Sequence, residues 1–340
     1  MDVMRSPVAA IACQRLGGIR HTIHTASSEL SRFGHDFAHN LRESAHSYAL
    51  SDHDMHRIFE ERIVPEQLDV PGRSTGASGQ LRLIVELGQP GAGKSTAIDT
   101  VAASFRDRGG AVPLIADNYM PYHPLFAELR ARDDFTAGDH LYPIAERWLD
   151  MAIDYIIASR KHAILEEGAG NPRRAARVIQ RFQQNNYAAA VEVLAVPRAE
   201  SGASVLTRFL HERLRDGTGR YVPTIAQDIC FTGSADLLRL LESPDPPVAI
   251  DELRVRSRSE VLFENYRDTP SGWSRPPEGW DALQEERGRA LTPDEKHAHS
   301  ERMQEFHEAL TQAYARHPEQ AADWHRLSLE MDRMAALARS

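Results

Sequence analysis

The stretch LIVELGQPGAGKSTAIDT, Leu83 to Thr100, runs an apolar segment into a glycine-rich turn and then into a helical pattern. Gly88, Gly93, Lys94 and Ser95 fit G-x-x-x-x-G-K-[ST], and the pattern falls where its chemistry requires, after a strand and before a helix. A turn built from Gly88, Gln89, Pro90, Gly91, Ala92 and Gly93 can aim backbone N–H groups at phosphate oxygens. The helix amino end adds partial positive charge and Lys94 a full one. Ser95, with Thr96 beside it, supplies a hydroxyl for a magnesium ion. The ligand this predicts is a nucleoside triphosphate, with ATP and Mg2+ as cofactors.

Further short apolar runs follow at Val112 to Ala116, His162 to Glu167 and Ala188 to Val196, each separated by enough chain for a crossover helix. Near-continuous apolar strands with helical crossovers predict an α/β fold, a parallel sheet flanked by helices. Two alternating runs around Ser257 to Ser259 read as a hairpin. Upstream, Leu30, Phe33, Phe37, Leu41, Ala45 and Tyr48 recur at helical spacing, and Ser51 caps a helix carrying Met55, Ile58, Phe59 and Ile63 as far as Pro65. Asp69 to Gln80 reads as a connecting loop, and Asp268 to Trp280 as a linker or irregular wrap. Thr292, Pro293 and Glu295 form a helix start with a capping box, and a last helix from Pro318 presents Trp324, Leu327, Met331 and Met334 on one face. The organisation expected is a helical N-terminal extension over 1–50, a core over 51–267, and a linker with C-terminal helices over 268–340.

Bulk properties narrow the classes. A net charge of −9 argues against a general nucleic-acid binder, so an anionic ligand needs a local basic site. No run approaches the ~18 apolar residues of a membrane span. Two cysteines, Cys13 and Cys230, stand in no metal or redox spacing, which points to a reducing compartment. The apolar patch Val8 to Cys13 is shorter than a signal-peptide core, so a cytoplasmic location is expected, with specialised secretion left open.

Which chemistry the triphosphate serves is decided further along. In LIADNYMPYHPLF, Asp117 falls at the carboxyl end of the second strand, expected beside the phosphate loop, where a carboxylate can take the proton of an attacking hydroxyl. The alternative reading is a helix cap. Glu166 and Glu167 end the third strand; one can contact substrate or hold magnesium through water while the other is a solvated charge. After the fourth strand, Arg208, Arg213, Arg215 and Arg220 lie in a lid-like helix–loop–helix that can bring cations over a transferring phosphoryl group.

Taken in order, GQPGAGKST, DNYMPYHP, EGAGN and AVPRAESGASVLTRF resemble successive motifs of the zeta toxins, kinases of bacterial toxin–antitoxin systems, over about Met55 to Tyr266. The resemblance implies a P-loop kinase fold and transfer from ATP with magnesium to a hydroxyl of UDP-N-acetylglucosamine or a related nucleotide metabolite. It further implies that Lys94 binds the phosphates, Ser95 the metal, and that Asp117 is the general base; of the two strand-end carboxylates, Glu166 is then the one assigned to the metal. Arg208 and Arg220 would clamp the phosphates, and Glu167, with Asp150, would meet the acceptor; Asn171, in the same turn as Glu167, is a further candidate contact that the resemblance does not itself supply. The chain departs from the family pattern at Ala169 and Asn171, where Thr and Arg are usual, with Arg173 or Arg174 as substitutes. That departure puts the acceptor's identity in question.

The helical extension from Ser28 to Leu50 exceeds what such a core requires; it either inhibits in the same chain, in place of a separate antitoxin protein, or completes the core. His35 and His39, one turn apart, read as an exposed helical pair. Two other classes compete with the kinase: a nucleotide-gated regulatory ATPase, and an effector that acts on another acceptor or only binds nucleotide.

Overall fold

The computed structural model describes residues 48–70, 79–269 and 272–339. The apolar stripe from Leu30 to Ala45, the His35–His39 pair and most of the loop expected after Asp69 lie outside them.

Five strands run parallel in the order β2-β3-β1-β4-β5: β1 (Arg82–Leu87), β2 (Ala111–Leu114), β3 (His162–Glu167), β4 (Ala188–Leu194) and β5 (Glu252–Arg256). β6 (Val261–Thr269) adds antiparallel to β5 as the expected hairpin, and β7 (Gly272–Trp273) follows it. Their apolar residues point both ways, so both faces must be covered. Ile84, Ile164 and Ala190 meet Ile98 and Phe105 on one face. Leu83, Val85, Leu165 and Val191 on the other join a larger cluster with Trp148, Ile153, Ile179, Phe182 and Leu238.

The helices are α1 (Asp52–Ile58), α2 (Lys94–Ser104), α3 (Phe126–Arg132), α4 (Ala137–Ala158), α5 (Pro172–Gln183), α6 (Arg198–Asp216), α7 (Thr224–Leu241), α8 (Gly279–Gly288), α9 (Pro293–Arg316) and α10 (Ala321–Arg339). Ser51 caps α1 as expected, its hydroxyl accepting from the Asp54 N–H at 3.1 Å. The chain does not break at Pro65: Phe59–Leu68 continues as a π-helix, whose shifted ladder accommodates a residue that has no N–H to donate. The Thr292 capping box opens α9 with both reciprocal bonds present.

Two elements differ from expectation. β2 stops at Leu114, and Ala116–Tyr122 winds into a 3-10 segment, so Asp117 lies past the strand. α8 begins at Gly279, at the end of the stretch expected as linker up to Trp280, and runs on through chain for which no helix is expected. Its first N–H groups, of Gly279 and Trp280, are satisfied by the two oxygens of Glu242, each at 2.8 Å. A cap borrowed from 37 residues away leaves no local signature. α6, α9 and α10 build a second cluster around Phe209, Phe306, Trp324, Leu327 and Met331, the buried face expected of the last helix.

Candidate functional site

β1 delivers the chain into the glycine turn, and Gly88 N donates to Glu167 O of β3 at 3.1 Å, joining the turn to the strand alongside. Gly91 has φ 79°, and a Cβ there would sit 2.1 Å from Ser201 O, so the backbone needs glycine both for its angle and for its closeness to α6. Gly93 has φ 104°, but a Cβ on it would meet nothing within 4 Å. The turn is therefore tightly held on the α6 side and open above Gly93. Gln89 is locked from behind: its amide nitrogen donates to Val196 O at 2.9 Å and to Ser201 Oγ at 3.1 Å. Lys94 is buried and folds over the turn, donating to Gly88 O at 2.8 Å and Gln89 O at 3.2 Å. Its ammonium lies 3.6 Å from Glu166 Oε1. Ser95 and Thr96 are exposed at the first turn of α2. The open space above Gly93, the exposed Ser95 hydroxyl and the nearby Glu166 carboxylate fit a magnesium–triphosphate, which binds largely through phosphate oxygens and one or two protein oxygens. Among the described residues no cluster of three or more His, Cys, Asp or Glu could hold a metal by itself.

The same register line carries three glutamates, because Glu86 pairs with Glu166 of β3 and with Glu192 of β4. Glu192 is neutralised by Arg254 at 3.0 Å and Arg256 at 3.5 Å, and Glu166 by Lys94. Glu86, between them, is fully buried, and neither of its oxygens has a hydrogen-bond partner among the described residues. Burial, reinforced by Glu192, pushes its carboxyl up to about 8.

Asp117 caps nothing; its carboxylate is ion-paired with the Arg220 guanidinium. β2 and β1 are not neighbours as expected, since β3 runs between them, so the strand beside the phosphate loop presents Glu166 rather than Asp117. The His-Pro end of the motif is architectural: His123 Nδ1 accepts from Leu125 N at 3.2 Å and Nε2 lies 3.1 Å from Tyr48 O. That pattern suits the neutral ring, and burial lowers its pKa accordingly.

Glu167 turns onto its own loop, Oε1 accepting from the Ala169 N–H at 2.7 Å, and burial raises its carboxyl above the ordinary range against that bond and Arg174. Ala169 itself is buried at φ 53°. Asn171 caps α5, accepting from Arg174 N at 3.1 Å. Asp150 pairs with Arg174 at 3.2 Å, and Arg174 also lies 3.5 Å from Glu146. Arg174 thus gathers Asp150, Glu146 and the neighbourhood of Glu167 into one wall, whereas Arg173 is exposed.

The four arginines of the helix–loop–helix separate. Arg220 reaches Asp117, and its own N–H donates to Glu212 at 2.8 Å. Arg208 lines a cavity of about 410 Å³ between α6 and α9, with Thr207, His211 and Arg302. Arg213 points away, between Asp134 and Asp323 and over Trp324, while Arg215, two turns after Arg208, lines the rim of the same cavity and pairs with Asp216. Two arginines outside the expected set touch the turn: Arg258 donates to Gly91 O at 3.0 Å, and Arg287 to Gln89 Oε1 at 2.9 Å. Arg258 lies in the hairpin the sequence reveals, but only the fold carries that hairpin to the loop; Arg287 lies on the unanticipated α8.

The zeta toxin family model matches residues 78–268, more than half of the chain. No curated protein matches in sequence. Among solved structures, one from the PezAT chromosomal toxin-antitoxin system of the human pathogen Streptococcus pneumoniae superposes with a TM-score of 0.63 at 17% identity, over 77% of this chain and 99% of that one. A structure of AvrRxo1-ORF1 and ORF2 with ATP is a looser likeness, with a TM-score of 0.46 at 12% identity, over 83% of this chain and 84% of that one. The glycine turn with its folded lysine, the strand order and the family match agree: the chain belongs to the zeta toxin family.

Proposed function

We propose that the chain is a kinase that uses ATP and magnesium to phosphorylate a hydroxyl of a small molecule and acts thereby as a toxin. The observation that carries this reading is the Asp117–Arg220 pair, a carboxylate and a phosphate-seeking cation joined just past the carboxyl end of β2. In the loaded site Lys94 and the turn from Gly88 to Gly93 hold the phosphates, with Ser95 and Thr96 at the helix start. Ser95, with Glu166 behind it, would hold magnesium against the phosphates, and the ion would supply charge neutralisation at the transferring group. Arg220 exchanges its carboxylate partner for a phosphoryl oxygen, Arg208 adds a second cation, and the freed Asp117 accepts the acceptor's proton. A switch or simple ATPase has no use for that exchange.

The acceptor proposed is a nucleotide sugar of the UDP-N-acetylglucosamine kind or a related hydroxyl-bearing metabolite, met by Glu167, Asp150 and Asn171. Asn171 also caps α5 and Asp150 pairs with Arg174, and the proposal gives Arg174, drawn from its Asp150 and Glu146 partners, the part of the polar contacts that the family usually has. Incubation with magnesium, ATP and either UDP-N-acetylglucosamine or a metabolite extract, followed by mass spectrometry, tests the reading. A product heavier by one phosphoryl group is expected; free phosphate alone favours a regulatory ATPase.

The segment 1–50 is proposed as a separate helical extension that restrains the site in place of, or alongside, an antitoxin protein, with 51–267 as the kinase core and 268–340 as the C-terminal helices. Tyr48, where the described chain begins, already touches the motif region through His123 and Arg132. Removal of residues 1–47 should raise ATP turnover; unchanged turnover in a folded truncation rejects restraint. No helix of the described residues is long and apolar enough to cross a membrane, and a cytoplasmic site of action is proposed.

A further inference from the structure

Resting on the kinase reading, we infer that Glu330, on a helix beyond the family-matched span, is a positioning residue that sets Arg220 for the phosphates. The loop between α6 and α7 is fastened at each successive residue. Thr218 O accepts from Arg130 at 3.0 Å, Gly219 N donates to Asp134 at 2.8 Å, and Arg220 N donates to Glu212 at 2.8 Å. Tyr221 is buried, and its hydroxyl donates to Glu330 Oε1 at 2.6 Å. The other oxygen of Glu330 accepts from Thr224 Oγ1 at 3.2 Å, the first residue of α7. Glu330 therefore ties both ends of the short Arg220–Thr224 link to α10.

The tie is itself oriented. Arg326, one helical turn earlier, lies 3.3 Å from Glu330 Oε1 and 3.1 Å from the Tyr221 hydroxyl, with its guanidinium 4.8 Å from the centre of the Tyr221 ring. Phe135 and Phe209 flank the same ring at 4.8 and 5.3 Å between centroids. A charge-assisted bond to a ring packed on three sides leaves Tyr221 one position, and Arg220 is its covalent neighbour. In a loop without this tie, each nucleotide-binding event would have to order Arg220. Here the helix has already fixed the backbone from which the Arg220 side chain extends, so that only the exchange of Asp117 for a phosphoryl oxygen remains.

The test reads nucleotide affinity, so that it does not depend on the acceptor. The dissociation constant of magnesium AMP-PNP is measured by calorimetry on the full chain and on Glu330→Ala, Glu330→Gln, Arg220→Ala, Lys94→Ala and the Glu330→Ala/Arg220→Ala double variant, with unfolding temperatures alongside. Glu330→Ala should weaken binding about tenfold. Glu330→Gln, which keeps an acceptor for the tyrosine hydroxyl, should restore most of it. In the Arg220→Ala background the Glu330 change should add nothing, because the two act through one group. Tyr221→Phe makes the same comparison if Glu330→Ala does not fold. Unchanged affinity in Glu330→Ala while Arg220→Ala binds weakly overturns the inference, as does full additivity of the two losses. If Lys94→Ala binds as tightly as the parent, the nucleotide reading itself fails, and this inference fails with it.

Discussion

The Asp117 carboxylate and the Arg220 guanidinium form an ion pair although 103 residues separate them in sequence. Each satisfies the other, and neither can do its proposed work until the pair opens. Asp117→Asn should therefore leave magnesium ATP binding nearly intact or slightly tighter, since Arg220 loses its competing partner. Phosphoryl transfer should fall roughly 10²–10⁴-fold, the usual worth of a positioned base. An unimpaired transfer rate would remove Asp117 from that role.

Lys94 behaves differently. Its ammonium makes hydrogen bonds to two loop carbonyls and sits near Glu166, so it shapes the turn as well as meeting phosphate. Lys94→Ala should weaken ATP binding and lower the transfer rate together. Titration calorimetry with magnesium ATP and single-turnover transfer separate the two effects, and a change in one alone contradicts the double role.

Much of this site was legible before the fold because its parts obey local rules. The glycine spacing of the turn, the alternation of β1 with α2 and the Thr292 capping box each lie within a few residues of sequence. What stayed hidden depends on contacts between distant segments. The insertion of β3 between β1 and β2 moved Asp117 one strand away from the loop, and no local pattern encodes strand order. α8 lacks its own cap because Glu242 provides it, so neither the helix nor the Arg287 it carries to Gln89 has a local signature. The arginines of α6 and the loop after it looked alike in sequence. Their separation follows from helix phase: Arg208 lines the cavity toward α9, while Arg213 turns into the cluster with Trp324.

The two positive-φ glycines of the turn should respond to alanine in opposite ways. At Gly91 the added Cβ would approach Ser201 O to 2.1 Å, so backbone must move and α6 with it. Gly91→Ala should lower the unfolding temperature, by a loss of about 2 kcal/mol or more. Gly93→Ala meets open space and carries only its backbone strain, of order 1 kcal/mol. Yet that space is where the phosphates are proposed to lie. Gly93→Ala should then lose more nucleotide affinity than stability; equal loss of both would show that the space is not the ligand's.

Glu86 makes the pH dependence of stability specific to one residue. Its carboxyl titrates near 8 in the folded chain, against 4.5 for an ordinary glutamate, because it is buried without a partner beside Glu192. Between those values the folded state keeps a proton that the unfolded state has lost, so rising pH favours unfolding. The penalty is absent below about pH 4.5, grows through the interval and is fully present above about pH 8. Its full size is on the order of a few kcal/mol. Glu86→Gln has nearly the same shape and cannot ionise. Its unfolding free energy should match the parent's near pH 5 and exceed it near pH 8, and the difference between the proteins cancels other raised carboxyls such as that of Asp139. Denaturant unfolding at both pH values measures this. A gain of equal size at pH 5 and pH 8 would mean that Glu86 is not the group that titrates, and that the centre of the glutamate row carries its charge throughout.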